Sequence, residues 1–96
     1  MYEVYESDKF SNWLKDLKDL RAKAKVIIRI ERAKRGSFGD CEPVGKGISE
    51  MRIFEGKGYR VYFTKINGKI VWLLCGGDKS SQQKDIKQAI KMKELL

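Results

Sequence analysis

The chain contains no histidine. That removes the commonest general base near neutral pH and the commonest zinc ligand. Its two cysteines, Cys41 and Cys75, lie far apart and form no Cys-x-x-Cys site. No group of acidic residues reads as a magnesium cage. Any catalysis is therefore expected to need no metal, no cofactor and no imidazole. Long hydrophobic runs are also missing: nothing approaches the ~20 apolar residues of a membrane span. The opening MYEVYESDKF carries no apolar signal-peptide core. The expectation is a cytoplasmic protein without membrane contact, with both thiols free in a reducing compartment.

What the chain does have is positive charge. Lysine and arginine number 21 against 13 aspartates and glutamates, giving a formal +8 and a pI near 9.6 on only 96 residues. This length suits one domain spanning residues 1–96. Charged residues at 35% and hydrophobic residues at 42% give a globular composition. So large a positive excess on a small domain favours an anionic partner such as nucleic acid, an acidic protein or a membrane surface.

Residues 47–79 organise the rest. Three strands are predicted, Gly47–Phe54, Tyr59–Ile66 and Lys69–Cys75, as an antiparallel meander. Glu55-Gly56-Lys57-Gly58 makes the first turn because glycine reaches positive φ without a Cβ clash. Asn67-Gly68 makes the second, the strongest two-residue signal for a type I′ hairpin. In the first strand Ile48, Glu50, Arg52 and Phe54 share one face, and Ser49, Met51 and Ile53 the other. Ile70-Val71-Trp72-Leu73-Leu74-Cys75 is apolar on both faces, so it is expected inside the sheet.

Before the meander, Tyr2-Glu3-Val4-Tyr5-Glu6 alternates and reads as a short strand beside it, giving four strands in all. Ser7 and Asp8 are candidate N-caps for a following helix. Phe10, Trp13, Leu14, Leu17 and Leu20 recur at helical spacing, and the pattern runs on through Ala24, Ile27 and Ile28, with Val26, Ile30 and Ala33 widening it. One unbroken helix over residues 8–35 would be about 42 Å long, too long for a domain with a radius of gyration near ~13 Å. A break near Asp16–Asp19 is expected, with Asp19 capping a second helix in an αα-hairpin packed on the sheet. That second helix is strongly basic, including Arg29 and Arg32. The glycine-rich stretch 36–47, with the only proline, Pro43, reads as a connector. Residues 80–96 form a last helix, with a Ser80/Gln83 capping box expected. Its Lys84, Lys87 and Lys91 share a face that is either solvated or a contact surface for RNA or protein.

Arg52 and Arg60 can face one another near the Gly56–Gly58 turn, since the partner of Arg52 falls at Tyr59–Arg60 when the two strands are folded about it. Facing arginines repel unless an anion lies between them. Arginine's planar fork suits phosphate, and fixed cations stabilise charge developing on a phosphoryl group. Lys79 lies just past the third strand. The competing structural reading is an ion pair of Glu50 with Arg52 or Arg60. Tyr59 and Tyr62 fit base stacking as well as ordinary sheet packing.

Several blocks carry a family resemblance. They are Trp13-Leu14-x-x-Leu17-x-Asp19, Gly36-Ser37-Phe38-Gly39-Asp40 and Val44-Gly45-x-Gly47-Ile48-Ser49-Glu50-Met51-Arg52-Ile53. They continue through Gly56-x-Gly58-Tyr59-Arg60-Val61-Tyr62-Phe63 and Leu73-Leu74-Cys75-Gly76-Gly77-Asp78-Lys79-Ser80-Ser81-Gln82. Together they resemble the addiction-module killer proteins, within the RelE/ParE/HigB-like toxins of type II toxin–antitoxin systems. The resemblance covers nearly the whole chain. It implies an α+β, RelE-like fold: N-terminal strand, αα-hairpin, three-stranded antiparallel meander and C-terminal helix. It implies a cognate antitoxin, typically a helix-turn-helix protein of HigA type. It also implies one of two activities: ribosome-dependent mRNA cleavage as in RelE- and HigB-like members, or gyrase inhibition as in ParE-like members. For the nuclease, the resemblance assigns Arg52 and Arg60 to phosphate and transition-state stabilisation, Lys79 to phosphate binding or proton transfer, and Glu50 to the base. Tyr59, Tyr62, Lys57, Arg29, Arg32, Lys84 and Lys87 are the expected RNA contacts, with mRNA on the ribosome as substrate.

Overall fold

A computed structural model describes residues 1–96. Its elements run β1 (Glu3–Glu6), α1 (Asp8–Asp16), α2 (Leu20–Lys34), β2 (Cys41–Gly45), β3 (Ile48–Ile53), β4 (Tyr59–Ile66), β5 (Ile70–Asp78) and α3 (Gln82–Glu94). The five strands form one sheet in the order β1-β5-β4-β3-β2. β1 lies parallel to β5, and every other pair is antiparallel. The fold is α+β, as expected. The helical hairpin α1–α2 covers one face of the sheet, over Met51, Ile53, Val61, Phe63, Val71 and Leu73. α3 covers the other, over Ile48, Tyr62, Leu74 and Cys75. No helix is long and apolar enough to cross a membrane.

Local chemistry accounts for most of the boundaries. Ser7 caps α1: its Oγ accepts from Phe10 N at 3.0 Å and donates to Leu74 O at 2.6 Å. The hairpin breaks where expected, and Asp19 caps α2 by accepting from Ala22 N at 3.0 Å. Asn67 and Gly68 both take positive φ, 55° and 65°, as a type I′ turn requires.

Four expectations need correction. The sheet has five strands, not four, because the 36–47 connector contains β2. Lys46 and Gly47, at φ 55° and 78°, fold Cys41–Gly45 back along β3. Pro43 is tolerated there because β2 is an edge strand. The third meander strand continues through Gly76 and Gly77 to Asp78. The Ser80/Gln83 capping box does not form. Because the strand runs on, Asp78 takes the capping role, its Oδ1 accepting from Ser80 N at 2.8 Å and opening a single 3-10 turn ahead of α3.

The fourth correction concerns α2. Ala22, Val26, Ile30 and Ala33 face the core, whereas Leu20, Ala24, Ile27 and Ile28 face outward. The break at 17–19 resets the helical phase, so the apolar stripe of α1 does not continue along α2.

Under α3, burial and then the charge of Asp85 push the Cys75 thiol from 9.0 up to about 12. Burial and then Glu50 raise the Tyr62 hydroxyl as well. Each acid stays protonated in the folded chain at a pH where it ionises in the unfolded one. The native state then binds more protons, so stability falls as pH rises above the unfolded value. For Cys75 the stabilisation is complete below pH 9 and is lost between 9 and about 12. The expected slope is about 1.4 kcal/mol per pH unit from this thiol. Urea unfolding at pH 8.5, 9.5 and 10.5 should show a steeper decline for the native chain than for Cys75→Ala. Parallel declines would remove the thiol from the account.

Candidate functional site

The site is built on the paired strands β3 and β4. Arg52 stands directly across from Arg60, two register positions from Glu50 across from Tyr62. Strand alternation then puts Glu50 and Arg52 on the α3 face. Glu50 is only 3% exposed. Its Oε1 lies 3.4 Å from Arg52 Nε and 3.4 Å from Arg60 Nη1. Its Oε2 accepts from Gln82 Nε2 at 2.7 Å and from Tyr62 OH at 3.2 Å. One carboxylate thus neutralises the mutual repulsion of two arginines and ties them to the start of α3. Glu42, from the edge strand β2, makes a second ion pair with Arg52 Nη2.

Two cationic donors have no partner. Arg60 Nε is buried and has no hydrogen-bond acceptor. Lys79 forms no ion pair or hydrogen bond; its stem passes over Gly58, where an added Cβ would come within 3.0 Å of Lys79 Cε. Gly58, at φ 77°, therefore serves both the turn and the lysine. Arg52, Arg60 and Lys79 line one cleft of about 370 Å³, together with Phe54, Tyr59 and the Glu55–Gly58 turn. The cleft presents cationic donors from three separate elements at close quarters, which is a setting for an anion such as phosphate.

The remaining sequence candidates are distributed differently. Glu50 does not line this cleft, and its two oxygens are engaged by two hydrogen-bond donors and two guanidinium groups, so its geometry is that of a positioning residue. Tyr62 is fully buried, and Tyr59, 9% exposed, packs beside Trp13 and only edges the cleft. Stacking of a base on Tyr62 is therefore closed in this structure. Lys57 lines a neighbouring cleft with Trp13, Asp19 and Asp78, on the other side of Tyr59. Arg29 is engaged with backbone, donating to Arg52 O at 2.5 Å, Phe38 O at 3.0 Å and Asp40 O at 3.2 Å. It ties α2 to β3 behind the site. Arg32 is exposed on α2, across the sheet from α3. Lys84 and Lys87 line a separate depression with Lys91 on the outside of α3. The structure unites Arg52, Arg60 and Lys79 and leaves the other cations on different surfaces.

Three residues at the site were not anticipated. Glu42 escaped because its segment reads as a connector. Gln82 escaped because nothing local points it at Glu50, 32 positions away. Phe54 is 70% exposed at the lip of the cleft. Its signal was present: it shares a strand face with Glu50 and Arg52 and borders the glycine turn. Of the two aromatic side chains at the cleft, Phe54 and Tyr59, it is the exposed one.

Residues 12–94 match the family model described as phage derived protein Gp49-like (DUF891). The chain is also 61% identical over 80 residues to an uncharacterized protein of Haemophilus influenzae, covering 83% of this chain and 81% of that protein. The range matched by the family model spans the arginine cleft.

Proposed function

For this chain, which belongs to the Gp49-like phage-derived family, we propose the role of toxin in a type II toxin–antitoxin module, within the RelE/ParE/HigB superfamily. Membership of a toxin-like family is compatible with that role. The proposed activity is metal-independent endonucleolytic cleavage of mRNA on the ribosome, in the cytoplasm, with a cognate antitoxin, of helix-turn-helix HigA type, as the neutralising partner. The observation that carries the nuclease reading is the Arg52/Arg60 pair, pre-positioned by Glu50, with Arg60 Nε–H lacking an acceptor.

In this mechanism a ribose 2′-oxygen attacks the adjacent phosphorus. An O2′–P bond forms and the P–O5′ bond breaks. The products are a 2′,3′-cyclic phosphate and a free 5′-hydroxyl. The proton of the 2′-hydroxyl leaves to solvent or a ribosomal group, and one proton must reach the departing 5′-oxygen. Arg60 and Arg52 hold the non-bridging oxygens and stabilise the added negative charge of the phosphorane. Lys79, on the open side of the cleft, binds phosphate or delivers the proton to O5′. Glu50 keeps both arginines in place. Phe54 offers an exposed ring to a flanking base.

Primer-extension mapping of mRNA in a purified translation system tests this directly. Cuts within A-site codons only when ribosomes are present are expected. Cuts in ribosome-free RNA would mean a free ribonuclease. No cuts in either condition, with DNA-damage signalling in cells expressing the chain, would favour a ParE-like gyrase inhibitor. No growth defect at all would leave a module that keeps only its partner-binding role.

A further inference from the structure

α2 is apolar on two opposite faces. Its inner stripe is Ala22, Val26, Ile30 and Ala33. Its outer stripe is Leu20, Ala24, Ile27 and Ile28, at i, i+4, i+7 and i+8, with Leu20 76%, Ile27 45% and Ile28 47% exposed. At about 100° per residue the two stripes are centred on nearly opposite sides of the helix. Phe54 continues the outer patch: with Ile28, Ile53, Lys25, Arg29 and Arg32 it lines a depression of about 350 Å³. An exposed apolar patch with a polar rim marks an interaction site.

The rim says what covers it. Arg21, Lys25, Arg29 and Arg32 all lie along the flank of α2 that borders Ile28. Two carboxylates lie on this side of the helix: Glu55, 2.6 Å from Lys25 and 3.9 Å from Arg21, and Glu31, which is paired with Lys34 at 2.7 Å. Arg29 is held by neutral carbonyls, and Arg32 forms no ion pair, so the flank keeps a positive excess. RNA would satisfy that charge but would leave the aliphatic Leu20, Ile27 and Ile28 without apolar cover. A polypeptide helix with apolar residues on one face and carboxylates beside them satisfies both.

We infer that the outer face of α2, extended by Phe54, docks an acidic amphipathic helix of a partner polypeptide. Phe54 also lines the arginine cleft, so the docked helix closes one wall of that cleft. This deepens the toxin reading and rests on it for its meaning: the occupant is the neutralising partner, and it competes with RNA at Phe54.

The test uses a synthetic helical peptide with leucine at i, i+4, i+7 and i+11 flanked by glutamate, followed by fluorescence anisotropy against the full chain. Its controls are a scrambled peptide of the same composition and a version with lysine in place of glutamate. Binding of the acidic amphipath at least tenfold tighter than the scramble is expected. Arg32→Glu should weaken it about tenfold and shift preference to the lysine version. Ile28→Asp, at an exposed position that leaves the core intact, should abolish it. Equal binding of the scramble, or no binding, overturns the inference, as does unchanged affinity in both variants. Loss of a native dimer in Ile28→Asp, seen by sedimentation, would also overturn it by assigning the face to a second copy. None of these readouts needs RNA cleavage. Specific binding by a chain that cleaves no mRNA would sink the nuclease reading and leave the docking surface standing.

Discussion

Arg60→Ala is expected to lower ribosome-dependent mRNA cleavage by roughly 10²–10³-fold, the loss typical of removing one preorganised donor to a developing oxyanion. Arg60 sits on β4, the middle strand of the sheet, so its backbone is fixed by neighbours on both sides. Its side chain is 13% exposed, in contact with the cleft and shielded from bulk water. In such a place a fixed cation acts at lower effective dielectric than at an open surface. Glu50 keeps Arg52, Tyr62 and Gln82 after the change, so the fold should survive with a loss of about 1.5–3 kcal/mol, that of a hydrogen bond to a charged group. Arg60→Lys should recover only part of the rate, because an ammonium restores charge but not the planar fork. Single-turnover cleavage on programmed ribosomes, with circular dichroism as the folding control, measures both. A wild-type rate in folded Arg60→Ala would end the case for this cleft.

Glu50→Ala should act on stability first. The change would leave Arg52 and Arg60 facing each other with no anion between them, and would strip Tyr62 OH and Gln82 of their acceptor. Removing one partner from a buried charge cluster costs about 3–5 kcal/mol, a large part of a small domain's stability. Glu50→Gln keeps an acceptor for Tyr62 or Gln82 but loses the charge, and should fall between. Replacing the cluster together, as Glu50→Leu with Arg60→Met, should cost less than Glu50→Ala alone, since no unpaired charge is then left inside. Urea denaturation gives the ranking. The same variants separate two roles for Glu50. A positioning residue loses stability and rate together. A general base would lose rate in Glu50→Gln at nearly unchanged stability, and that pattern would return Glu50 to the chemistry.

The apolar and charged sides of the molecule were not equally legible. The turn at Glu55–Gly58 sets the register of β3 on β4, so the partner of Arg52 could be counted out to Tyr59–Arg60, and the structure places it at Arg60. The identity of the anion between them could not. Glu50 was a candidate for either ion pairing or catalysis, and only its burial, its two hydrogen bonds and its two ion pairs separate the two. Tyr62 fitted base stacking and ordinary sheet packing equally, since only an open strand face would tell the two apart. It has none here, because β4 is covered by α1–α2 on one side and α3 on the other.

By itself the sequence determined what is local: the strand and helix types, the hairpin turns, the break capped by Asp19, the strand face shared by Glu50 and Arg52, and the positive charge. These follow from periodicity and from residues whose conformational preferences act within a few positions. The tertiary structure alone decided the phase of α2, the recruitment of β2 as an edge strand, the burial of Tyr59 and Tyr62, and the placing of Glu42 and Gln82 at the arginines. Each of these depends on which surface meets which across long separations. A helix with two apolar stripes, or a strand apolar on both faces, carries no local mark of which side will be covered. That choice is made when the layers pack, by the area each arrangement removes from water.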